Sequence, residues 1–409
     1  MTLGDLFRHP DFWRYASIPF IAAVVGWGTN LVAIKMTFWP LHFKGIRPFF
    51  GWQGIIPSKA EKMASIFVDT TMVHLGTLSE VFQRMEPDLI ADHVVAVLEP
   101  RVDELTDEVM RRSDVILWDN LPEMMRNAVY QRVREELPKL VHALLQDVDQ
   151  HVEELIDLKE LVVQRLVEDR ILLNRLFLEC GAEEFRFIVR SGFWFGGAFG
   201  LVQLAVWLLF PAPWVLPAFG LLVGVATNWI ALNIIFRPLL PTKVGPWTVQ
   251  GLFLRRQAEV AEIWCRIVTR DILTLRDMVR AMVEGKRADR TRALIRKHIK
   301  LVVDRAVGPM RSFAQAAVGL RNFAGIKETV GETAVEVAME PFQDADFIDA
   351  RADAVAEELR RRMASLPPAE FQDLLRPCFQ EDEVKLILLG GALGLAAGLA
   401  QWYWVFGGA

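Results

Sequence analysis

Val24–Leu41 reads VVGWGTNLVAIKMTFWPL, and 198 positions later Leu222–Leu239 reads LVGVATNWIALNIIFRPL. Eight of these eighteen positions are identical: Val25/Val223, Gly26/Gly224, Thr29/Thr227, Asn30/Asn228, Ala33/Ala231, Phe38/Phe236, Pro40/Pro238 and Leu41/Leu239. The same offset carries Gly192, Gly196, Gly200 and Gln203 onto Gly390, Gly394, Gly398 and Gln401. A single unit repeated in register accounts for nearly the whole chain, which therefore reads as a tandem duplication, with repeat 1 over 12–209 and repeat 2 over 210–407.

The quoted stretches belong to a set of four. Apolar runs at roughly 17–39, 187–210, 214–236 and 385–407 each give about 33 to 36 Å of helix, enough to cross a bilayer. Apolar residues make up 52% of the 409, yet 24% are charged, too many for a bundle joined by short loops. The charge is concentrated in segments 40–186 and 237–384. The first apolar run holds Thr29, Asn30 and Lys35 and has an internal copy, so it does not read as a cleaved signal.

Four crossings put both charged segments on one side. Lys35, Lys44, Arg47, Lys59, Lys62, Arg186, Arg190, Arg237, Lys243, Arg255, Arg256 and Lys385 flank the spans there, against Arg8 and Arg14 opposite. The positive-inside rule then makes the charged side cytoplasmic. Trp207, Trp214, Trp402 and Trp404 gather at the other end, where an interfacial aromatic belt is expected.

Within the charged segments the period is helical. Leu140, Val141, Leu144, Leu145, Val148, Val152, Leu155 and Ile156 form an apolar stripe on a polar background. Pro57 and Pro122 suit first turns, while Gly181 and Gly285 stand where helices should stop. The expected fold is an all-α membrane protein: four transmembrane helices and two long amphipathic helical cytoplasmic bundles. Residues 86–108 carry eight acids against Arg101, and residues 284–300 carry seven bases against Glu284 and Asp289. Two solvated faces or complementary docking of the halves would both suit this contrast.

The stretch GWGTNLVAIKMTFWPL, followed by QGIIPSKAEKMA at Gln53–Ala64, has its counterpart in VATNWIALNIIFRPL with QGLFLRRQAEVA at Gln250–Ala261. This pattern resembles a widespread bacterial membrane family, domain of unknown function number 445, which includes YheB-like and YjiN-like proteins. Trp39 stands where a basic residue is common in that family, and Leu254 where Pro is common. The resemblance implies a helical bacterial inner-membrane protein, and it implies no reaction.

The Thr29/Asn30 and Thr227/Asn228 dyads form the candidate intramembrane polar site. An amide near mid-span costs several kcal/mol unless it is bonded, so the dyads must face protein or water. About a twofold axis along the membrane normal they would converge, as an interhelical lock or as a solute or ion site. Gly192, Gly196, Gly200, Gly390, Gly394 and Gly398 recur every fourth residue and are expected to pack helices closely. Lys59, Lys62, Arg255 and Arg256 are the expected headgroup contacts. Lys35 suits an interfacial anchor that snorkels, its counterpart being the neutral Asn233.

No nucleotide-loop, metalloprotease, CxxC or nucleophile-elbow motif is present. Cys180, Cys265 and Cys378, and the seven histidines from His9 to His298, lack metal-ligand spacing. The expectation is a non-enzymatic inner-membrane scaffold or lipid-handling protein of envelope organisation, without cofactor or metal. Membrane phospholipid is its expected partner, with a protein partner that the sequence does not identify and no nucleic acid. The alternative is a small-solute or ion transporter using the dyads.

Overall fold

The computed structural model describes residues 12–46, 50–307, 320–380 and 383–405. Arg8, His9 and Arg47 lie outside the described residues. From the N-terminus the chain forms α1 (Phe12–Phe38), a hairpin of β1 (Lys44–Ile46) and β2 (Phe50–Trp52), α2 (Ile55–Ser58) and α3 (Ala60–Leu75). Next come α4 (Leu78–Arg84), α5 (Pro87–Leu98), α6 (Val102–Asn120), α7 (Glu123–Leu155), α8 (Leu158–Glu168), α9 (Arg170–Cys180) and α10 (Ala182–Leu209). The second half opens with α11 (Val215–Phe236), a hairpin of β3 (Thr242–Val244) and β4 (Trp247–Val249), α12 (Leu252–Arg255) and α13 (Gln257–Ile267). It ends with α14 (Leu275–Glu284), α15 (Ala288–Val307), α16 (Leu320–Val337), α17 (Ala345–Ser365), α18 (Pro368–Gln380) and α19 (Glu383–Val405).

Four of these helices are long and apolar enough to cross a membrane: α1 over Tyr15–Phe38, α10, α11 and α19. Two short antiparallel hairpins interrupt the helices, with Lys44 opposite Trp52 in one and Thr242 opposite Val249 in the other. Strands of three residues carry too little alternation to be read from sequence. Gly245, at φ 63°, a region that favours glycine, lets the second hairpin turn, and Gly45, at φ 135°, pairs with Gly51 within the first.

The chain divides into two compact units, and each draws on both halves of the sequence. One holds residues up to 74, 166–264 and from 362 on; the other holds 75–165 and 265–361. The charged segments of both halves thus contribute jointly to the second unit. The cause is the amphipathic stripes: α7 packs on α15 and α6 on α16. Val141, Val148, Val152 and Leu155 of the α7 stripe are buried, as are Ile295 and Ile299 of α15. Full burial of such a side chain contributes about 1.5–3 kcal/mol.

Neither charge block of this unit pairs with the other in the ion pairs of the described residues. Lys286 meets Glu160 at 2.6 Å, Arg287 meets Asp157 at 3.3 Å and Lys297 meets Asp147 at 2.8 Å. The acidic block finds separate bases, among them Arg134 on Asp103 at 2.7 Å. Bonds from Lys297 and then His298 hold the Asp147 carboxyl below the usual carboxylate range.

In the first unit the closest helix pairs are α1 with α10 and α11 with α19, and α10 also meets α11. The turn between α10 and α11 closes over Ile18, Trp207, Val215 and Leu216. Trp207 therefore lies in this core and not in an interfacial belt, while Trp214 and Trp404 are exposed. Gly181 and Gly285 stand just past the ends of α9 and α14, as expected, and Pro122 caps the start of α7.

Candidate functional site

A seam of glycines brings α1 and α10 into backbone contact. A methyl at Gly196 would lie 2.5 Å from the Ala22 carbonyl oxygen, and one at Gly200 2.6 Å from Pro19 Cα. At Gly192 it would collide with the Gly26 carbonyl and come within 2.6 Å of Asn30 Nδ2. The α11–α19 pair repeats this with Gly224 against Gly390 and Gly220 against Gly394, while a methyl at Gly398 would lie 2.5 Å from the Leu216 carbonyl. Gly26, Gly220 and Gly224 are thus as necessary to the seam as Gly192, Gly196, Gly200, Gly390, Gly394 and Gly398.

The polar side chains of the dyads are used inside these pairs. Asn30 is buried and donates through Nδ2 to the Ile188 carbonyl of α10 at 2.7 Å. Thr29 donates to the Gly26 carbonyl at 3.2 Å and Thr227 to the Val223 carbonyl at 2.8 Å, both within their own helices. Asn228 is buried with its amide nitrogen against the α-carbon of Gly390, where any side chain would overlap it. Each asparagine therefore addresses the other span of its own half. The glycine seam puts a backbone of the same half beside each amide, and α1 and α11 are also in contact with each other.

A second pair of amides, overlooked in the sequence, ties the ends of α1 and α11. Asn174 of α9 donates to the Phe38 carbonyl at 2.6 Å. Gln372 of α18, with its amide nitrogen turned to the Phe236 carbonyl, donates there at 3.0 Å and accepts from Arg376 at 2.6 Å. These residues are also 198 apart, so the offset held the signal inside the charged segments.

The loops after α1 and α11 are held in matching ways. Gln53 Nε2 donates to the Leu41 carbonyl at 2.9 Å and Gln250 Nε2 to the Leu239 carbonyl at 3.3 Å. Gly54 donates its N–H to Pro40 at 2.9 Å and Gly251 to Pro238 at 3.0 Å. Both glycines have negative φ, near −50°. They are needed for close approach, since a methyl would lie 2.7 Å from Phe38 C and 2.8 Å from the Ile235 carbonyl oxygen respectively.

The expected headgroup residues divide. Arg255 is exposed. Arg256 is largely buried and forms ion pairs at 2.7 Å with both Glu184 and Glu259. This removes it from the residues available to a headgroup. Bonding to Glu259, and attraction to Glu184, raise the Arg256 pKa, while Arg256 holds Glu259 below the usual carboxylate range. Lys59, just before α3, is half-buried, and Lys62, in the first turn of α3, is exposed. Among the described residues no three His, Cys, Asp or Glu side chains gather as metal ligands, and Cys180 and Cys265 are free and buried.

Among known proteins, a UPF0754 membrane protein of Nostoc sp. is 27% identical over 144 residues, covering 34% of this chain and 32% of the relative. Another, from a Synechococcus sp., is 26% identical over 212 residues, covering 45% of this chain and 51% of the relative. A third, from Synechococcus elongatus, is 27% identical over 197 residues, covering 46% and 44%. The chain is similar to the UPF0754 membrane proteins. It spans about half the length of these relatives or less. No family model and no solved structure matches. The relatives' names and the four apolar helices agree on a membrane location.

Proposed function

We propose that this chain is a non-enzymatic scaffold of the bacterial inner membrane that handles phospholipid in envelope organisation. On this reading it is a tandem duplication of the family known as domain of unknown function 445, with its charged segments in the cytoplasm. The observation that carries the proposal is the use of the mid-span polar groups. Asn30 is bonded to Ile188, Thr29 and Thr227 to their own helices, and Asn228 is packed on Gly390. A transporter needs a hydrated opening at such groups, usually made by broken helices. Here glycine backbones meet around them instead.

The outer faces of the spans favour lipid. Phe20, Trp27, Trp194, Leu222 and Trp229 stand exposed along them, an apolar perimeter of the kind a bilayer covers. Support for duplication comes from the recurrence, at the same offset, of the glycine seam, the Asn174 and Gln372 bonds and the hairpins. The basic flanks support the orientation.

Native mass spectrometry of the detergent-extracted chain, beside solute and ion flux in proteoliposomes, tests the reading. Retained phospholipid without flux is expected. Flux that Asn30→Ala and Asn228→Ala abolish would overturn it in favour of transport.

A further inference from the structure

An open groove of about 510 Å³ lies between the last turns of α1 and the β1–β2 hairpin, lined by Val32, Lys35, Met36, Trp39, Lys44 and Trp52 among others. We infer that this groove binds the phosphate of an anionic membrane phospholipid, an inference that rests on the lipid-handling reading and deepens it. Among the described residues both ionised groups in its lining are cations and none is a carboxylate. Neither Lys35 nor Lys44 has an ion pair among the described residues, and both are exposed. Trp52 donates its indole N–H to the Met36 carbonyl at 3.0 Å, which fixes the hairpin against the helix end and holds the groove open-sided. Trp39, nearly half exposed at 47%, forms the other aromatic wall.

The chemistry is layered as an interfacial lipid requires. Val32 and Met36 lie on the membrane-spanning helix and suit acyl carbons. Lys35 lies in its last turn, from which an ammonium reaches the headgroup level. Lys44 follows on the hairpin, opposite Trp52. Indole rings prefer this depth.

The second half of the chain keeps the frame of the groove and replaces its charged and aromatic lining. Phe38, Pro40, Leu41, Gln53 and Gly54 recur as Phe236, Pro238, Leu239, Gln250 and Gly251, with the same hydrogen bonds from the Gln and Gly. Lys35 becomes Asn233, which folds back to donate to the Trp229 carbonyl at 2.8 Å. Trp39 becomes Arg237, and the Lys44–Trp52 pair becomes Thr242–Val249 in the same register. One scaffold thus carries two different surfaces, which is how a binding site is distinguished from the fold that holds it.

The test uses the full chain in detergent micelles, titrated with phosphatidylglycerol or phosphatidylcholine, with binding read by native mass spectrometry. The variant is Lys35→Asn/Lys44→Thr, whose new side chains the equivalent frame already accommodates in the second half. Phosphatidylglycerol should bind more tightly than phosphatidylcholine, and the variant should lose roughly fivefold per lysine and roughly thirtyfold for both. Asn233→Lys/Thr242→Lys should in turn strengthen phosphatidylglycerol binding. Unchanged phosphatidylglycerol affinity in Lys35→Asn/Lys44→Thr overturns the groove, as does displacement of the lipid by millimolar inorganic phosphate, which would identify free phosphate as the ligand. Phospholipid retained from cells by that variant as by wild type removes the groove and leaves lipid handling standing. Wild-type protein that retains no phospholipid from cells, yet shows the lysine-dependent titration, keeps the groove and removes lipid handling.

Discussion

Replacing Gly192 with Ala should destabilise the protein far more than the same change at Gly197, five residues along the same helix. The added methyl at Gly192 meets the Gly26 carbonyl of α1 and lies 2.6 Å from Asn30 Nδ2. Restoring ordinary van der Waals separation moves the two helices apart by roughly 1 Å. That movement also stretches the 2.7 Å bond from Asn30 to Ile188 beyond the useful limit of about 3.2 Å. Overpacking of this kind costs about 1–3 kcal/mol, and the interhelical bond adds about 0.6–2 kcal/mol. A total loss of about 1.6–5 kcal/mol is expected, a shift of roughly 15-fold or more in the folded-to-unfolded ratio. At Gly197 a methyl would rest 3.5 Å from Ala23 Cβ, an ordinary contact, so Gly197→Ala should stay within about 0.5 kcal/mol of wild type. Equilibrium unfolding of the full chain in mixed micelles, followed by circular dichroism, gives both values. Equal stabilities for the two variants would refute the reasoning, because only the seam distinguishes the sites.

Arg256→Ala should cost about 3–5 kcal/mol by leaving Glu184 buried beside a lost partner, whereas Arg255→Ala, at an exposed position, should be nearly silent in the same unfolding assay. Asn174→Ala should destabilise by about 1 kcal/mol, and by less as Asn174→Gln, since the second half uses a glutamine for the equivalent bond. Asp147 is ionised and bonded in the folded state with a depressed pKa, so its contribution is full above the ordinary carboxylate pKa of about 3.9 and is lost as pH falls below it. Asp147→Asn should therefore flatten the acid limb of a melting-temperature profile, and an unchanged profile would remove this pair from the acid response. Single cysteines at positions in 100–160 of a cysteine-free chain should resist impermeant thiol reagents applied outside intact cells. Efficient labelling there would reverse the orientation.

Much of the membrane part was legible because its constraints are local and repeated. Length and apolarity define the spans, and the recurrence of Gly192, Gly196 and Gly200 at a four-residue spacing marks a close-packed face. The depth of Asn30 and Asn228 shows that their amides require partners. Which partner each takes depends on the nearest exposed carbonyl after packing, and Ile188 is 158 positions from Asn30. Arg256 was misread for the same reason: its position after a span suits a headgroup, but its carboxylate partner Glu184 is 72 residues away. Trp207 follows the composition of an interfacial belt yet is buried by the turn between α10 and α11. The stripe on α7 marked a buried face without revealing that α15, from the other half, would cover it.

The central claim is that the Thr–Asn dyads close the helix pairs and do not line a water-filled path. Single cysteines at positions 30 and 228, in a cysteine-free chain reconstituted into liposomes, test it through reaction with a small impermeant thiol reagent supplied on each side in turn. Both positions should remain unmodified from either side while a cysteine at exposed Trp214 reacts from one. Rapid modification at position 30 or 228 would establish water at the dyads and contradict the account.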